Sequence, residues 1–412
     1  MKKSELNNCR ICGSKKLTKY LNLGLHPYSN SFLHQKDFLK EKKYPLELLL
    51  CSNCSLSQLS IIPDTKNIFS DYDYLSSSSK ALTNHYKKLV NEILIRFKIN
   101  PNDTVLDIGC NDGVLLNHYN NKVLNIVGIE PSNVVDKIRN KKIKIINKFF
   151  NYENSFYYKK KFKKPKIITI TNVLAQVDNL LNFVKGLKNI SDKKTLIIIE
   201  FPYSLNMIKS VFFDLIYHEH LSYFNLTSIN FLFKKYGFNL IDFKKIDLGA
   251  SGPALRVYFS VKDSIYKSKF NKIKKQLSIE NNWEVKNKKR YFNFKLSVNK
   301  KILKLRNIVK RLHNKGYKIG CFTASAKGNT LLNCLKLDKN IIKYVCENNK
   351  KKIGKFTPGS HLRIISDKEY IKKKIEYSIL LSWNYKNYFL KNSEYKKKGG
   401  KFIIPFPKIE IK

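Results

Sequence analysis

From about residue 75 to 260 the chain alternates short, wholly apolar runs with stretches whose apolar residues recur every three or four positions. That is the pattern of parallel strands buried on both faces and separated by helices. TVLDIG begins as a buried strand (Val105, Leu106, Ile108), VLNIVGIEPS reads as a second strand ending in Glu130, and KIITITNVLAQV and TLIIIEFPYS read as two more. A doubly wound α/β unit is therefore expected over 73–262, with its ligand at the carboxyl ends of the strands. A Lys-rich, apolar-periodic segment follows and predicts one or two helices. A second alternation then begins: KIGCFTASAKGNTLLNCL reads as strand, small-residue turn and helix, NIIKYVCENNKKKIG as a strand and its loop, YSILLSWNY as a third strand, and GKFIIPFP as a closing one. A smaller α/β unit is expected over 263–412.

The first 72 residues lack this alternation and carry two CxxC pairs instead, Cys9 with Cys12 and Cys51 with Cys54, the apolar run PLELLL standing before the second. Each CxxC forms a tight turn aiming two thiolates at one point, so the two together supply the four soft ligands of a tetrahedral Zn²⁺. Four protein ligands leave no position for water, which makes the site structural. Four unrelated thiols, or a redox CxxC, are the competing readings. The segment between the pairs is longer than a compact ribbon needs, and LGLHPYSNSFL is expected to be an inserted loop.

Composition changes this picture in two ways. A chain of 412 residues with 43% hydrophobic content has the material for more than one packed core. A net charge of +48 first suggests nucleic acid or an anionic membrane. Only eight of the 79 basic residues are arginine, however, and base and phosphate readers lean on arginine's planar fork. The charge is read as lysine displayed on solvated faces, with neither nucleic acid nor membrane as partner. No apolar run reaches the roughly 18 residues of a membrane span, the N-terminus has no signal-peptide stretch, and paired metal ligands fit a reducing compartment, so a cytoplasmic location is expected.

The residues able to carry chemistry cluster at predicted strand ends. Asp107, Gly109, Asn111 and Gly113 form D-x-G-x-N-x-G, and Glu130 closes the next strand. Glycines there let a ligand approach the backbone, and the acid can accept both hydroxyls of a ribose. The dinucleotide fingerprint G-x-G-x-x-G is absent, which suits S-adenosylmethionine, a nucleoside with no pyrophosphate to cradle. Tyr217-His218-Glu219-His220 places four polar side chains in a row and reads as an acid/base cluster, against a surface loop or a metal site. On a strand, His218 and His220 would face opposite sides. Upstream, Tyr72, Tyr74, Ser76, Ser79 and His85 can line a polar pocket or cap a helix. Ser325, Lys327 and Asn329 open a helix straight after a strand, where a helix N-terminus and a lysine can hold a substrate phosphate. Trp383 and Asn384 end a neighbouring strand and are expected to face the same crevice.

In this order, CRIC and CSNC, VLDIGCNDGVLL, GIEPS, NVLAQVDNL, FDLIYHEHLSYF, GPALRVYF, ASAKGNTLLN, KIGKFTPGSHLRI, SWNY and GGKFIIPFP resemble the sugar C-methyltransferase family over nearly the whole chain. The resemblance implies a zinc-binding N-terminal domain, a central Rossmann-like S-adenosylmethionine domain and a C-terminal Rossmann-like α/β domain that holds the substrate. It further implies methyl transfer to a ring carbon, commonly C3, of a nucleotide-linked 4-keto sugar. The family's catalytic tyrosine, glutamate and histidine fall on Tyr217, Glu219 and His220, with His220 taken as base and Tyr74 as an upstream pocket tyrosine. Asp107, Gly109, Asn111, Gly113, Glu130 and Asn172 would hold the donor, and Ser325, Lys327, Asn329, Trp383 and Asn384 the sugar nucleotide. Where such enzymes often read Asn-Val-Leu-Ala-His, this chain has Gln176, which cannot take a proton near neutral pH. An oxygen methyltransferase of the same fold and a zinc-bearing nucleic-acid binder are the rival readings.

Overall fold

The computed structural model describes residues 6–64, 68, 75–247, 249 and 252–412. Among them lie three sheets. The first is antiparallel and is built from β1 (Leu17–His26), β2 (Tyr44–Cys51) and β3 (Ser57–Leu59), with a fourth strand, Ser222–Tyr223, lent by the middle of the chain. The sequence LGLH is thus the end of β1 and not part of an inserted loop: Leu21 packs inward while Asn22 faces solvent, and the register with β2 slips between Lys19 and Leu21 and again between Asn22 and Leu25. Two irregularities in one strand blur the two-residue period by which a strand is recognised.

The middle sheet has seven strands. In chain order they are β4 (Thr104–Ile108), β5 (Asn125–Ile129), β6 (Ile143–Ile146), β7 (Ile167–Thr171) and β8 (Leu196–Pro202), then, after β9 (Ser222–Tyr223, the lent strand), β10 (Phe238–Ile246) and β11 (Ala254–Val261). The spatial order is β10-β11-β8-β7-β4-β5-β6, with β4 to β8 parallel and the β10–β11 hairpin antiparallel at one edge. β4, β7 and β8 are buried at every position, as parallel strands covered on both faces must be. Helices α1 (Lys80–Arg96), α2 (Leu180–Ile190) and α3 (Leu226–Lys235) cover the faces with the apolar sides their sequences predict.

The Lys-rich segment forms two helices, α4 (Phe270–Asn282) and α5 (Lys288–Asn314). The third sheet comes next: β12 (Ile319–Phe322), helix α6 (Ala326–Leu335), β13 (Ile342–Cys346), β14 (Arg363–Ile365), β15 (Tyr377–Leu380), β16 (Lys401–Ile404) and β17 (Glu410–Ile411). Its order is β14-β13-β12-β15-β16-β17, parallel except for the last pair. GKFIIPFP therefore does not close the sheet, because the chain turns back and adds β17 outside it.

Although α4 lies beyond the compositional break, it docks on the middle unit through one buried acid. Glu280 is fully buried and accepts hydrogen bonds from Tyr203 Oη (2.5 Å), the Leu226 and Thr227 backbone N–H groups (both 2.8 Å) and Thr227 Oγ1 (2.6 Å). It supplies the orphan donors at the start of α3 with a carboxylate that the helix dipole favours. Glu280→Ala would strand those donors in a dry site and is expected to lower stability by about 3 kcal/mol, read as the urea midpoint at unchanged slope, with Glu280→Gln intermediate.

Candidate functional site

The carboxyl ends of the parallel strands in the second and third sheets open on one cavity of about 1040 Å³. That is just above the roughly 300–1,000 Å³ of ordinary ligand pockets, and it is walled by the strand ends of two separate sheets, each of which can present a ligand to the other. All three sheet-bearing units contribute to its wall, the first through Asn30.

On the wall formed by the middle sheet, Gly109, Asn111, Glu130 and Asn172 line the cavity. Gly109 has φ +74°, and a Cβ there would run into the Val173 side chain. Asn111 and Asn172 also stand in the left-handed region, at φ +51° and +58°, where few residues other than glycine and asparagine are comfortable. Glu130 accepts from Asn111 N–H at 2.9 Å and from Ser132 N–H and Oγ at 3.1 and 2.7 Å. With about four lone-pair sites on a carboxylate, one is left for a ligand, so both hydroxyls of a ribose are more than it can take. Asp107 and Gly113 do not line the cavity. Asp107 lies behind it, accepts from Thr169 Oγ1 at 2.6 Å, and is pushed up to about 7 by burial. Asn172 Nδ2 is buried without a partner, a donor held ready for something the protein does not supply. This orphan donor, the open acceptor site of Glu130 and the closely approachable Gly109 backbone fit a nucleoside-bearing methyl donor.

Tyr217-His218-Glu219-His220 is a tight turn and not a strand, with His220 N–H donating to the Tyr217 carbonyl at 2.9 Å. Tyr217, Glu219 and His220 all line the cavity while His218 points away, its Nε2 3.1 Å from the Pro45 carbonyl and its ring edge-on to Tyr28 and Tyr44. His220 Nδ1 lies 3.0 Å from the Leu215 carbonyl, which can only accept, so that nitrogen carries the proton. Nε2 is then the lone-pair nitrogen, and Tyr217 Oη donates to it at 2.8 Å. Burial lowers His220 to about 4, which keeps it neutral, and raises Glu219 to about 7. Glu219 Oε1 accepts from Asn30 N–H and Nδ2 at 3.2 and 3.1 Å, whereas Oε2 is buried with no partner. Gln176 lines the same space, as do Ser76 and Ser79. His85 does not; it pairs with buried Glu200 at 2.7 Å. Tyr72 and Tyr74 lie outside the described residues.

On the wall formed by the third sheet, Ser325, Lys327 and Asn384 line the cavity. Ser325 caps α6 by accepting from Gly328 N–H. Lys327 Nζ donates to Asn384 Oδ1 and sits 4.3 Å from the centre of the Trp383 ring; burial lowers it to about 8, with nearby Asp214 acting against that. Trp383 itself faces away from the cavity, donating Nε1–H to Asp214 Oδ2 at 2.6 Å. Asn329 also misses it, because one turn into α6 its side chain turns to the first unit and donates to the Ser29 carbonyl at 2.7 Å. Both were expected in the crevice. Each instead packs an interface between units.

The four cysteine sulfurs lie within 4.8 Å of one another, the Cys9–Cys54 and Cys12–Cys51 pairs 3.5 Å apart. A tetrahedral ion with Zn–S bonds of about 2.3 Å needs sulfurs about 3.8 Å apart, so the cluster fits zinc. Between the first two ligands, Arg10 donates to Ser222 Oγ (2.5 Å), the Val177 carbonyl (2.5 Å) and the Asp178 carbonyl (2.6 Å). The metal knuckle is thereby tied to the strand after the Tyr217–His220 turn and to a loop of the cavity wall.

Three family models match the chain in succession: a zinc binding domain over residues 9–69, a methyltransferase domain over 80–242, and a C-methyltransferase C-terminal domain over 250–407. C-methyltransferase NovU of Streptomyces niveus is 24% identical over 98% of this chain and 97% of its own. The chain belongs to the S-adenosylmethionine-dependent C-methyltransferases. Solved structures similar to part of the methyltransferase include an S-adenosylmethionine-dependent methyltransferase from Clostridium acetobutylicum (13% identity, 43% of this chain and 92% of that one, TM-score 0.35). Another is magnesium protoporphyrin IX methyltransferase from Synechocystis with bound S-adenosylhomocysteine (14% identity, 48% and 92%, TM-score 0.34). Likeness at that level carries no weight for the site. No helix among the described residues is long and apolar enough to cross a membrane.

Asn30 and Asp214 escaped sequence reasoning: the first sits in the segment taken for an inserted loop, and the second stands within FDLIYHEHLSYF, where the Tyr217–His220 run alone is given a role. The zinc cluster gives a direct test. The purified methyltransferase is expected to hold one zinc per chain by elemental analysis, and Cys54→Ser is expected to lose it together with several degrees of melting temperature, since structural zinc contributes folding energy. Zinc loss without any change in melting would show that the ion does not fasten the fold.

Proposed function

We propose that the methyltransferase acts on a nucleotide-linked 4-keto sugar, adding the methyl group to the ring carbon beside the ketone, at C3, in the synthesis of a branched sugar. The observation that carries this reading is a neutral histidine, proton-poor at Nε2, beside a buried carboxyl with one unpaired oxygen, both in the cavity walled by the strand ends of two separate sheets. A carbon next to a ketone loses its proton only when a base stands on the C–H and a donor stands on the oxygen. Tyr217 Oη takes the proton as it passes its own to His220 Nε2, and the Leu215 carbonyl, fixed on Nδ1–H, holds the ring in the tautomer that can receive it. The C–H electron pair moves toward the ketone oxygen, which accepts from the protonated Glu219 carboxyl, as a buried acid kept neutral can donate. The one lone pair of Nε2 is occupied by Tyr217 Oη–H, so the abstracted proton reaches the histidine through the tyrosine. Gln176 orients by hydrogen bonding alone, which leaves the proton transfer to Tyr217 and His220.

S-adenosylmethionine supplies an electrophilic methyl group on a sulfonium. Gly109, Asn111, Glu130 and Asn172 are assigned to it, with Asp107 and Gly113 supporting that wall from behind. Ser325 and Lys327, at the start of α6, and Asn384, in the turn after β15, are assigned to the substrate's phosphates, where the helix N-terminus adds to the lysine charge.

Proton abstraction can be observed apart from methyl transfer. With no donor present, the protein is expected to exchange deuterium from solvent into carbon 3 of a nucleotide-linked 4-keto sugar, and His220→Ala to lose this by at least about 100-fold. Donor-dependent methylation in which the methyl sits on oxygen, with no exchange, would sink the carbon-acid reading.

The two shifted groups also set a pH profile. His220 must be neutral, so kcat/KM rises with pH through about 4; Glu219 must be protonated, so it falls again through about 7. Glu219→Gln keeps a donor that cannot ionise, and the alkaline limb is expected to flatten. An unchanged limb in that variant would assign it to another group.

A further inference from the structure

The second and third sheets repeat one acid-centred device. In the middle unit the residue after β4, Gly109, has positive φ and donates its N–H to the carbonyl of Ile129, the last residue of β5 (2.7 Å). Glu130 comes next; its N–H donates to the end of β6 at Ile146 (3.2 Å), and its carboxylate accepts a backbone N–H of the β4 turn on Oε2 and donors from Ser132 on Oε1. In the third unit the residue after β12, Thr323, has φ +71°, costly for a β-branched residue, and donates to the carbonyl of Cys346, the last residue of β13 (2.8 Å). Glu347 comes next, and its N–H donates to the end of β14 at Ile365 (2.9 Å). Its Oε2 accepts Ala324 N–H at 2.9 Å, and its Oε1 accepts Asn348 and Asn349 N–H at 2.8 and 3.1 Å. Strand order is the same in both, third-second-first and all parallel. Each carboxylate has three protein donors on about four lone-pair sites, and each lines the same cavity.

The units differ in the element that comes after the turn. After β4 there is only a short 3₁₀ segment at Leu116–Tyr119, whereas after β12 the ten-residue helix α6 starts at once, with Lys327 in its first turn. A nucleoside without phosphates suits the first arrangement and a nucleoside diphosphate the second. An acid at this place in a doubly wound unit accepts the 2′-hydroxyl of a ribose. We infer that Glu347 reads the ribose 2′-hydroxyl of the substrate's nucleotide, so that the methyltransferase selects a sugar carried on a ribonucleoside diphosphate over one carried on a 2′-deoxyribonucleoside diphosphate. This deepens the proposed function and rests on its reading of α6 as the nucleotide's phosphate site.

The test is calorimetric titration of the full chain with UDP, CDP, GDP and ADP, each beside its own 2′-deoxy form. The best-bound diphosphate is expected to bind about 10- to 100-fold more tightly than its deoxy partner, the worth of one hydrogen bond to a charged group. Glu347→Gln is expected to bring the pair to within about threefold, with melting temperature followed to confirm folding. Because the wild-type ribo/deoxy ratio needs no variant, the inference stays testable if that substitution misfolds. Equal affinity for the two forms overturns the role of Glu347 and leaves a nucleotide-linked substrate standing. A preference that persists in folded Glu347→Gln assigns the reading to another residue and also overturns it. Failure of every diphosphate to bind removes this inference together with the nucleotide part of the proposed function.

Discussion

Four polar side chains in succession can be buried only if separate parts of the chain come to satisfy them, and that demand organises this molecule. The Leu215 carbonyl fixes His220, Asn30 holds one oxygen of Glu219, and the Pro45 carbonyl receives His218. The exit of the turn is held as tightly: Leu221 N–H donates to Ala175 at 2.8 Å, Leu59 N–H donates back to Leu221 at 3.1 Å, and Ser222–Tyr223 pairs with β3. The zinc knuckle reaches the same strand through Arg10. A metal held by the four cysteines would therefore bear on the Tyr217–His220 turn by fixing the sheet into which the turn leads.

Burial also produces the electrostatics. The desolvation that pushes His220 down pushes Glu219 up, because both drift toward their neutral forms. Between about pH 5 and 6 the histidine is then neutral and the glutamate protonated, the reverse of the forms that the two side chains favour in water. An exposed loop of identical sequence would have neither property.

The third unit does more than carry a lysine to the cavity. Thr330 Oγ1 donates to the Ile216 carbonyl at 2.9 Å and Asn329 to that of Ser29, so α6 grips both the segment leading into the turn and the one holding Glu219. This helix and the Tyr217–His220 turn are thereby joined through one set of hydrogen bonds.

The sequence by itself determined four strands in each α/β unit, β4, β5, β7 and β8 and then β12, β13, β15 and β16, since strands inside a parallel sheet must be largely apolar. By contrast, β6, β10, β11, β14 and β17 went unread. The zinc ligands were determined too, since CxxC spacing is a local geometric device. It also carried the second acid: KYVCEN ends a strand in glutamate as IVGIEP does, a parallel open to reading before any coordinates. Tertiary structure alone decided the rest. The direction in which Asn329, Trp383 and His218 point depends on which unit packs against them, and the recruitment of Asn30 and Ser222–Tyr223 depends on pairings across nearly 200 residues, to which no local periodicity responds. Local chemistry fixes the elements and their ligand-bearing ends, whereas which polar atoms are left unpaired in the cavity is settled only when three separately built surfaces close on one another.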